Sequence, residues 1–333
     1  MAKIRNLKFQ DIPKLKKMIS MISDGQNGEI TFGFRSFIPF PINFVNNLLP
    51  LNLRKLSESY VAIDDKQIKG MISLKAQRGN PHSWNICNLF LGKNSYDAGR
   101  QLVGYATAKY GAMGANTFTV RIDEDLDELM ELFSKGCGFR MCSSEHLWKM
   151  DEVKLVKSTI DKGFFRPFKN SDALEAANLH NDCIFPHFRY SLARKKQEFY
   201  DVIFAGLSSA SVFKYVFEDK GAIKGFFKVQ TEDNLNFLLE VDLVQGYDDY
   251  YAEIINFAIG QILMRKKEFN FYVLNKKYQI SGAKFEEYLS KNGFSGVKNR
   301  IVMVKDYYKK IQEEQRSQKP AIVFTDITRN PAF

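Results

Sequence analysis

The chain is short of the residues that mark secreted, metal-bound or membrane-spanning proteins. Its 333 residues include four cysteines, Cys87, Cys137, Cys142 and Cys183, with no Cys-x-x-Cys among them. Neither these nor the four histidines fall at zinc-ligand spacing, so no disulfide framework and no metal site is expected. The cysteines read as reduced, buried, small apolar residues. The longest uncharged run, residues 36–53, contains Pro39, Pro41, Pro50 and four asparagines, which exclude a spanning helix there. Met1-Ala2-Lys3-Ile4-Arg5 leads straight into a charged, periodic segment, so no signal peptide is expected and the reading is a cytoplasmic protein without membrane insertion.

The remaining composition is that of a globular protein, 45% hydrophobic and 26% charged. The length suits about two domains. A net charge of +10 fits an anionic ligand or a nucleic-acid surface. The lysines and arginines are spread along the chain rather than clustered, however, which equally describes a solvated basic surface and makes nucleic acid the less expected partner.

The chain repeats itself. Arg5-Asn6-Leu7-Lys8-Phe9-Gln10-Asp11 returns as Arg166-Pro167-Phe168-Lys169-Asn170-Ser171-Asp172. Tyr60-Val61 with Ile68-Lys69-Gly70 returns as Tyr215-Val216 with Ile223-Lys224-Gly225. Ser134-Lys135-Gly136-Cys137-Gly138-Phe139 returns as Ser290-Lys291-Asn292-Gly293-Phe294. Asp11 and Asp172 lie 161 apart, and the last two echoes are each spaced by 155. Such a period is too long for a solenoid and fits a duplicated globular domain.

Periodicity gives each half the same order. In the first, Ile12, Leu15, Ile19 and Ile22 predict a helix, 60–63 and 69–76 a hairpin, 84–91 a strand, 97–111 a helix and 117–122 a strand. A helix carrying Leu126, Leu129, Met130 and Phe133 and a strand at 146–150 close the unit. The second half predicts a helix at 174–180, strands at 214–217, 223–230 and 237–244, and a helix through Ile254 and Leu263. Strand 269–274, helix 283–291 and strand 300–304 complete it. The expected boundaries are 1–150 and 164–305, a lysine-rich linker at 151–163, and a charged, helical C-terminal segment with a tail at 306–333.

This order, with the Arg-x-x-x-x-x-Asp opening, the strand-terminal Lys-Gly and the closing Gly-Phe present twice, resembles a tandem protein of the GNAT N-acetyltransferase superfamily. The resemblance covers residues 4–150 and 164–305. It implies an α+β fold of two GNAT-like domains, each a mixed, mostly antiparallel sheet flanked by helices. It also implies acetyl-CoA or another acyl-CoA as cofactor, its diphosphate on a Gln/Arg-x-x-Gly-x-Gly/Ala turn that opens the helix after the fourth strand. Topology places that turn at residues 94–99, where only Gly99 matches. The literal match Gln101-Leu102-Val103-Gly104-Tyr105-Ala106 leaves only ten residues before Thr117 and reads as accidental. In the second half the turn is Gln245-Gly246-Tyr247-Asp248-Asp249-Tyr250. Its carboxylates would occupy the helix N–H donors and repel a diphosphate. Asp97 raises the same objection once in the first half, beside Lys93, Gly99 and Arg100. The cofactor is therefore assigned to the first half, at Phe90, Leu91, Lys93, Asn94, Ser95, Gly99 and Arg100.

For catalysis the resemblance implies a carboxylate base on the fourth strand and a tyrosine near the closing Gly-Phe. The first half has Asn85 and Asn88 but no carboxylate, and Phe133 where the second half has Tyr288. The candidates are thus Glu240 and Asp242, two apart on one strand face, and Tyr288. The aromatic loops carry Phe32, Phe34, Phe37, Phe40 and Phe44 in one half and Phe185, His187, Phe188 and Tyr190 in the other. Phe34-Arg35 and Phe188-Arg189 lie 154 apart and line either an acceptor pocket or a seam between domains.

Three functions follow. The first is an N-acyltransferase that passes the acyl group directly to a small-molecule or peptide primary amine, without metal or covalent nucleophile. The second is a catalytically degenerate tandem that binds a ligand or partner. The third is an aminoacyl-tRNA-dependent transferase of the Fem type.

Overall fold

The computed structural model describes residues 2–15, 58–65, 67–92, 94–156, 164–200, 211–231 and 233–307. The aromatic segment at 32–44 with Phe34 and Arg35, Lys93, residues 157–163 of the linker, and the chain after 307 lie outside these residues. The first half runs β1 (Lys3–Asn6), β2 (Glu58–Asp64), β3 (Gln67–Gln77), β4 (Asn80–Leu91), α1 (Tyr96–Ala112), β5 (Thr117–Asp123), α2 (Asp127–Glu131) and β6 (Arg140–Met150). Residues 12–15 are the described start of the first predicted helix. The second half runs β7 (Phe164–Pro167), α3 (Ala173–Cys183), α4 (Pro186–Leu192), β8 (Ser211–Asp219), β9 (Ala222–Thr231), β10 (Asn236–Leu243), α5 (Tyr251–Leu263), β11 (Asn270–Lys276), α6 (Gly282–Lys291) and β12 (Phe294–Asp306). The short strands β1 and β7 and the helix α4 were not evident from periodicity.

The closing strands depart from expectation. Instead of each half completing a sheet of its own, the described strands form one sheet in the order β1-β2-β3-β4-β5-β12-β6-β11-β10-β9-β8-β7. The last strand of each half has crossed to the other: β12 pairs antiparallel with β5, and β6 antiparallel with β11. The exchanged strands then pair with each other along their length, with Arg300 opposite Glu145 and Ile301 opposite Ser144. A period-2 strand fits any edge whose faces match its own pattern, and duplicated halves offer two equivalent edges. Only β4–β5 and β10–β11 are parallel, each bridged by a helix.

The core records the exchange. Ile301 and Met303 of β12 pack with Tyr60, Ile72, Trp84, Phe118 and the buried face of α1. Met150 of β6 packs with Phe227, Leu239, Phe271 and α5. Residues alternate strictly by face: Leu239 and Val241 lie under α5, whereas Leu238 joins Leu147, Tyr272 and Leu274 on the opposite face.

Each sequence echo has a physical cause. Arg5 forks onto Asp11 with contacts of 2.6 and 2.8 Å, and Asp11 accepts the Lys8 N–H at 2.9 Å. Arg166 does the same to Asp172 at 2.7 and 3.1 Å, which accepts the Lys169 N–H at 2.8 Å. The pair ties the first strand of each half to the turn that opens its first helix. Gly70 and Gly225 stand where a Cβ would meet the Leu91 and Leu243 side chains at 2.9 and 3.1 Å. Gly138 and Gly293 adopt φ of +70° and +79°, the left-handed turn that delivers buried Phe139 and Phe294.

Because β5 and β11 are each covered by the other half's strand, neither half is complete alone. A chain divided between residues 156 and 164 is expected to give insoluble fragments when each is expressed singly and a soluble 1:1 complex on co-expression. Size-exclusion chromatography checks this, and two independently soluble, monomeric halves would contradict it.

Candidate functional site

The parallel strands part company in both halves. β4 pairs with β5 from Ser83–Thr117 to Ile86–Val120, and Cys87–Leu91 then have no partner on β5. β10 pairs with β11 from Asn236–Asn270 to Glu240–Leu274 and separates beyond. The two wedges differ at their apex. In the first half β3 opposes Ser73 to Asn88 and Leu74 to Ile86, which leaves Cys87 as an extra, bulged residue. β10 has no such bulge, since its register against β9 runs unbroken from Leu238–Gln230 to Leu243–Gly225. The glycine echo then aligns Leu91 with Leu243 and Asn88 with Glu240.

The second wedge is filled from within. Gln279 donates to the Val241 carbonyl at 3.3 Å and to Asp242, and the Cys183 thiol donates to the Leu243 carbonyl at 3.1 Å. Asp242 also meets Lys276 at 3.2 Å and His180 at 2.9 Å. Lys276 reaches Glu240 at 3.1 Å, and Lys228 meets the other Glu240 oxygen at 2.7 Å. The carbonyls that a ligand would use on β10 are therefore already occupied. Burial alone would raise both carboxyls. The Lys276 ammonium and His180 outweigh it at Asp242, as Lys228 and Lys276 do at Glu240, and both are held well below the ordinary carboxylate range.

Between the wedges, across the β6–β12 seam, lies a cavity of about 320 Å³. It touches the first apex at Asn85, Thr119 and Arg121 and the second at Glu240 and Leu274; Glu145 and Arg300 lie between, and the segment Ser191–Glu198 contributes Arg194. Arg121 Nε donates to Glu145 at 2.9 Å, Arg300 Nη2 at 3.0 Å and Tyr278 Oη at 3.2 Å. Burial would raise Glu145, but the two guanidiniums hold it down to about 2. Thr119 donates to the Asn85 side chain, so these two apical residues are fixed to each other.

The helix entrances also differ from expectation. Gln101–Ala106 lies inside α1, whose N-cap is Ser95, so the entrance is the predicted 94–99 turn. Asn94 there is exposed with φ of +56°. Asp97 does not fold back on the N–H groups: its side chain is 78% exposed and pairs with Arg100 at 3.5 Å. Gly99 faces inward, where a Cβ would meet Leu91 at 2.8 Å and Leu132 at 3.0 Å, so it serves helix packing. Phe90 packs on the other face against Val61 and Met71, and Leu91 under α1. In the second half Asp248 makes no cap either; it pairs with Lys284 at 3.0 Å and accepts from the Tyr251 hydroxyl at 3.4 Å. Occupation of the N–H donors by a carboxylate is thus corrected in both halves, although Asp248 and Asp249 still place negative charge there.

Of the predicted catalytic residues, Glu240 reaches the cavity and Asp242 lies in the adjoining ion cluster. Tyr288 sits across the sheet beside Tyr251, with ring centroids 5.5 Å apart, and burial raises its hydroxyl to about 12. The structure does not bring it to the carboxylates. Phe188 packs at the seam with Ile184, Leu192, Tyr278 and Val302, whereas Arg189 is spent on the Ile184 and Asp182 carbonyls at 3.0 and 3.3 Å. Sequence reasoning missed Arg121, Glu145, Arg194 and Arg300. The repeat period held a clue, because Arg121 and Lys276 lie 155 apart and so do Glu145 and Arg300. Among the described residues no group of three metal-ligating side chains occurs, and no helix is long and apolar enough to cross a membrane.

No family profile and no curated protein matches the sequence. Solved structures do match it. A tandem GNAT protein from the clavulanic acid biosynthesis pathway superposes with a TM-score of 0.61 at 12% identity, over 92% of this chain and 98% of its own. A GCN5-related N-acetyltransferase from Sphaerobacter thermophilus gives 0.60 at 12% identity, over 92% and 95%. An acetyltransferase-like protein from Pyrococcus horikoshii gives 0.54 at 11% identity, over 92% and 90%. With its duplicated halves, its two parted strand pairs and these structural counterparts, the chain has the tandem GNAT fold.

Proposed function

We propose that the protein is an acyl-CoA-dependent N-acyltransferase whose cofactor lies in the first half and whose acceptor amine enters the seam cavity. The observation that carries this reading is the parting of β4 from β5 beyond Ile86–Val120, directly beside that cavity. There the bulge at Cys87 and the unpaired edge through Leu91 offer backbone groups to an extended amide-bearing chain. α1 opens beyond with no side-chain cap, so its first N–H groups suit a diphosphate. The second wedge, with its carbonyls bonded by Gln279 and Cys183, offers no equivalent slot.

Acyl-CoA, when bound, supplies the thioester carbonyl. The protein's residues position the amine at the apex beside Asn85 and Thr119. They offer little base strength: Glu240 and Glu145 are both held low by their cationic neighbours. The amine must therefore reach the carbonyl already deprotonated, or give its proton to solvent. The predicted role of Glu240 becomes orientation of the acceptor, and Asp242 serves to neutralise Lys276 beneath it.

Two outcomes are expected. Acetyl-CoA at 100 times its dissociation constant should stabilise the protein by about 2.7 kcal/mol in thermal unfolding. Asn94→Asp, which adds a carboxylate at the α1 entrance without changing shape, should weaken binding about fivefold, while Gln245→Glu in the second half should not. No stabilisation, or equal loss in both variants, would refute the assignment. In steady-state kinetics, kcat/KM should rise tenfold per pH unit up to the acceptor's own pKa, since Glu145 and Glu240, held low by their cationic neighbours, stay ionised from pH 5 to 9. A plateau set by an enzyme group near pH 6 would contradict it.

A further inference from the structure

The seam cavity carries an unbalanced charge. In it and directly beneath it stand five cations, Arg121, Arg194, Arg300, Lys228 and Lys276, against four carboxylates, Glu145, Glu198, Glu240 and Asp242. The nearby Arg140–Asp306 pair is closed at 2.6 Å and adds nothing. Three of the carboxylates are saturated. Glu145 holds Arg121, Arg300 and Tyr278, and Glu240 and Asp242 share Lys228, Lys276 and His180. Glu198 accepts the Arg78 backbone N–H at 3.1 Å and stands 3.7 Å from Arg194, beyond hydrogen-bond reach.

Two guanidiniums are consequently under-used among the described residues. Arg194 makes no side-chain hydrogen bond there; its backbone N–H is what Asn181 holds, at 2.8 Å. Its backbone is thereby fixed, and the residue lines the cavity. Arg121 spends Nε on Glu145 and also engages Tyr278, and it lines the same cavity. One guanidinium comes from each half, so the complete donor set exists only where the halves meet. Placing such donors in a part-buried cavity without an acceptor is costly, and an anionic oxygen pair is the complement of a guanidinium fork. The remaining walls mix the neutral polar side chains of Gln77, Gln230, Asn85 and Thr119 with the apolar ones of Leu192, Val212, Leu238 and Leu274, which suits a small molecule that carries both a charged end and an uncharged body.

We propose that the acceptor is a carboxylate-bearing amine, of the amino-acid class, whose carboxylate is held by Arg121 and Arg194 while its amine lies toward Asn85 and Thr119. The assignment rests on the acyltransferase reading for the identity of the reaction, but not for the binding of the carboxylate. A lone carboxylate could be replaced by another small anion, and the uncharged counterpart of each compound separates carboxylate recognition from amine recognition.

The test uses the full chain without any CoA, so that it stands apart from the cofactor assignment. The twenty common L-amino acids and their carboxamides are titrated by thermal shift and calorimetry against wild type, Arg194→Gln and Arg194→Lys. At least one free amino acid is expected to bind, its carboxamide at least tenfold more weakly. Arg194→Gln should lose binding by a similar factor, and Arg194→Lys should recover it in part. Arg121→Gln should act in the same direction if it folds; Arg194, which makes no side-chain hydrogen bond to a described residue and only a 3.7 Å ion pair with Glu198, keeps the test decisive if it does not. Equal binding of acid and amide, binding unaffected by Arg194→Gln, or no binding by any amino acid would each overturn the proposal. Loss of acetyl-CoA binding alone would overturn only the cofactor assignment.

Discussion

The antiparallel pairing of β6 with β12 is the constraint on which the rest of the structure depends. Each strand belongs by sequence to one half and by hydrogen bonding to the other, so the two sheets continue into one another. Apolar residues of β12 complete the first core and Met150 of β6 joins the second, so separating the halves would expose apolar surface and two strand edges at once. The seam is also where Glu145 and Arg300 stand opposite each other, which places an ion cluster between the halves and a cavity of mixed charged and apolar lining beside it.

Duplication supplies two wedges, and their contents have diverged. The first has a bulge, an unpaired edge and an uncapped helix. The second has a lysine, a histidine, a glutamine and a thiol turned inward onto its own carbonyls and carboxylates. The members of a buried ion cluster of this kind depend on one another, and removing one would strand the others at a cost of about 3–5 kcal/mol. In the proposed reading the second half is a wall and a buttress for the cavity, to which it contributes Arg194 and Glu240.

Much of the architecture was legible because the echoed residues do structural work. The Arg-x-x-x-x-x-Asp pairs, the glycines against Leu91 and Leu243 and the left-handed glycines before Phe139 and Phe294 each recur where a fold of this kind needs them. Element order followed from periodicity, and the helix entrance at residues 94–99 from topology. Strand exchange was not legible, since an alternating strand carries no label for its partner. The carboxylate candidates were found by type and strand position, but their ion partners, Lys228 and Lys276, come from other strands and decide their basicity. Arg121 and Arg194 were missed because an isolated arginine in sequence says nothing of whether an acceptor lies opposite it.

One of the two wedges in this fused, duplicated protein is proposed to hold the cofactor. Calorimetric titration of the intact chain with acetyl-CoA reads this directly as a stoichiometry. The structure described here predicts one site per chain; two sites per chain, or none, would contradict it.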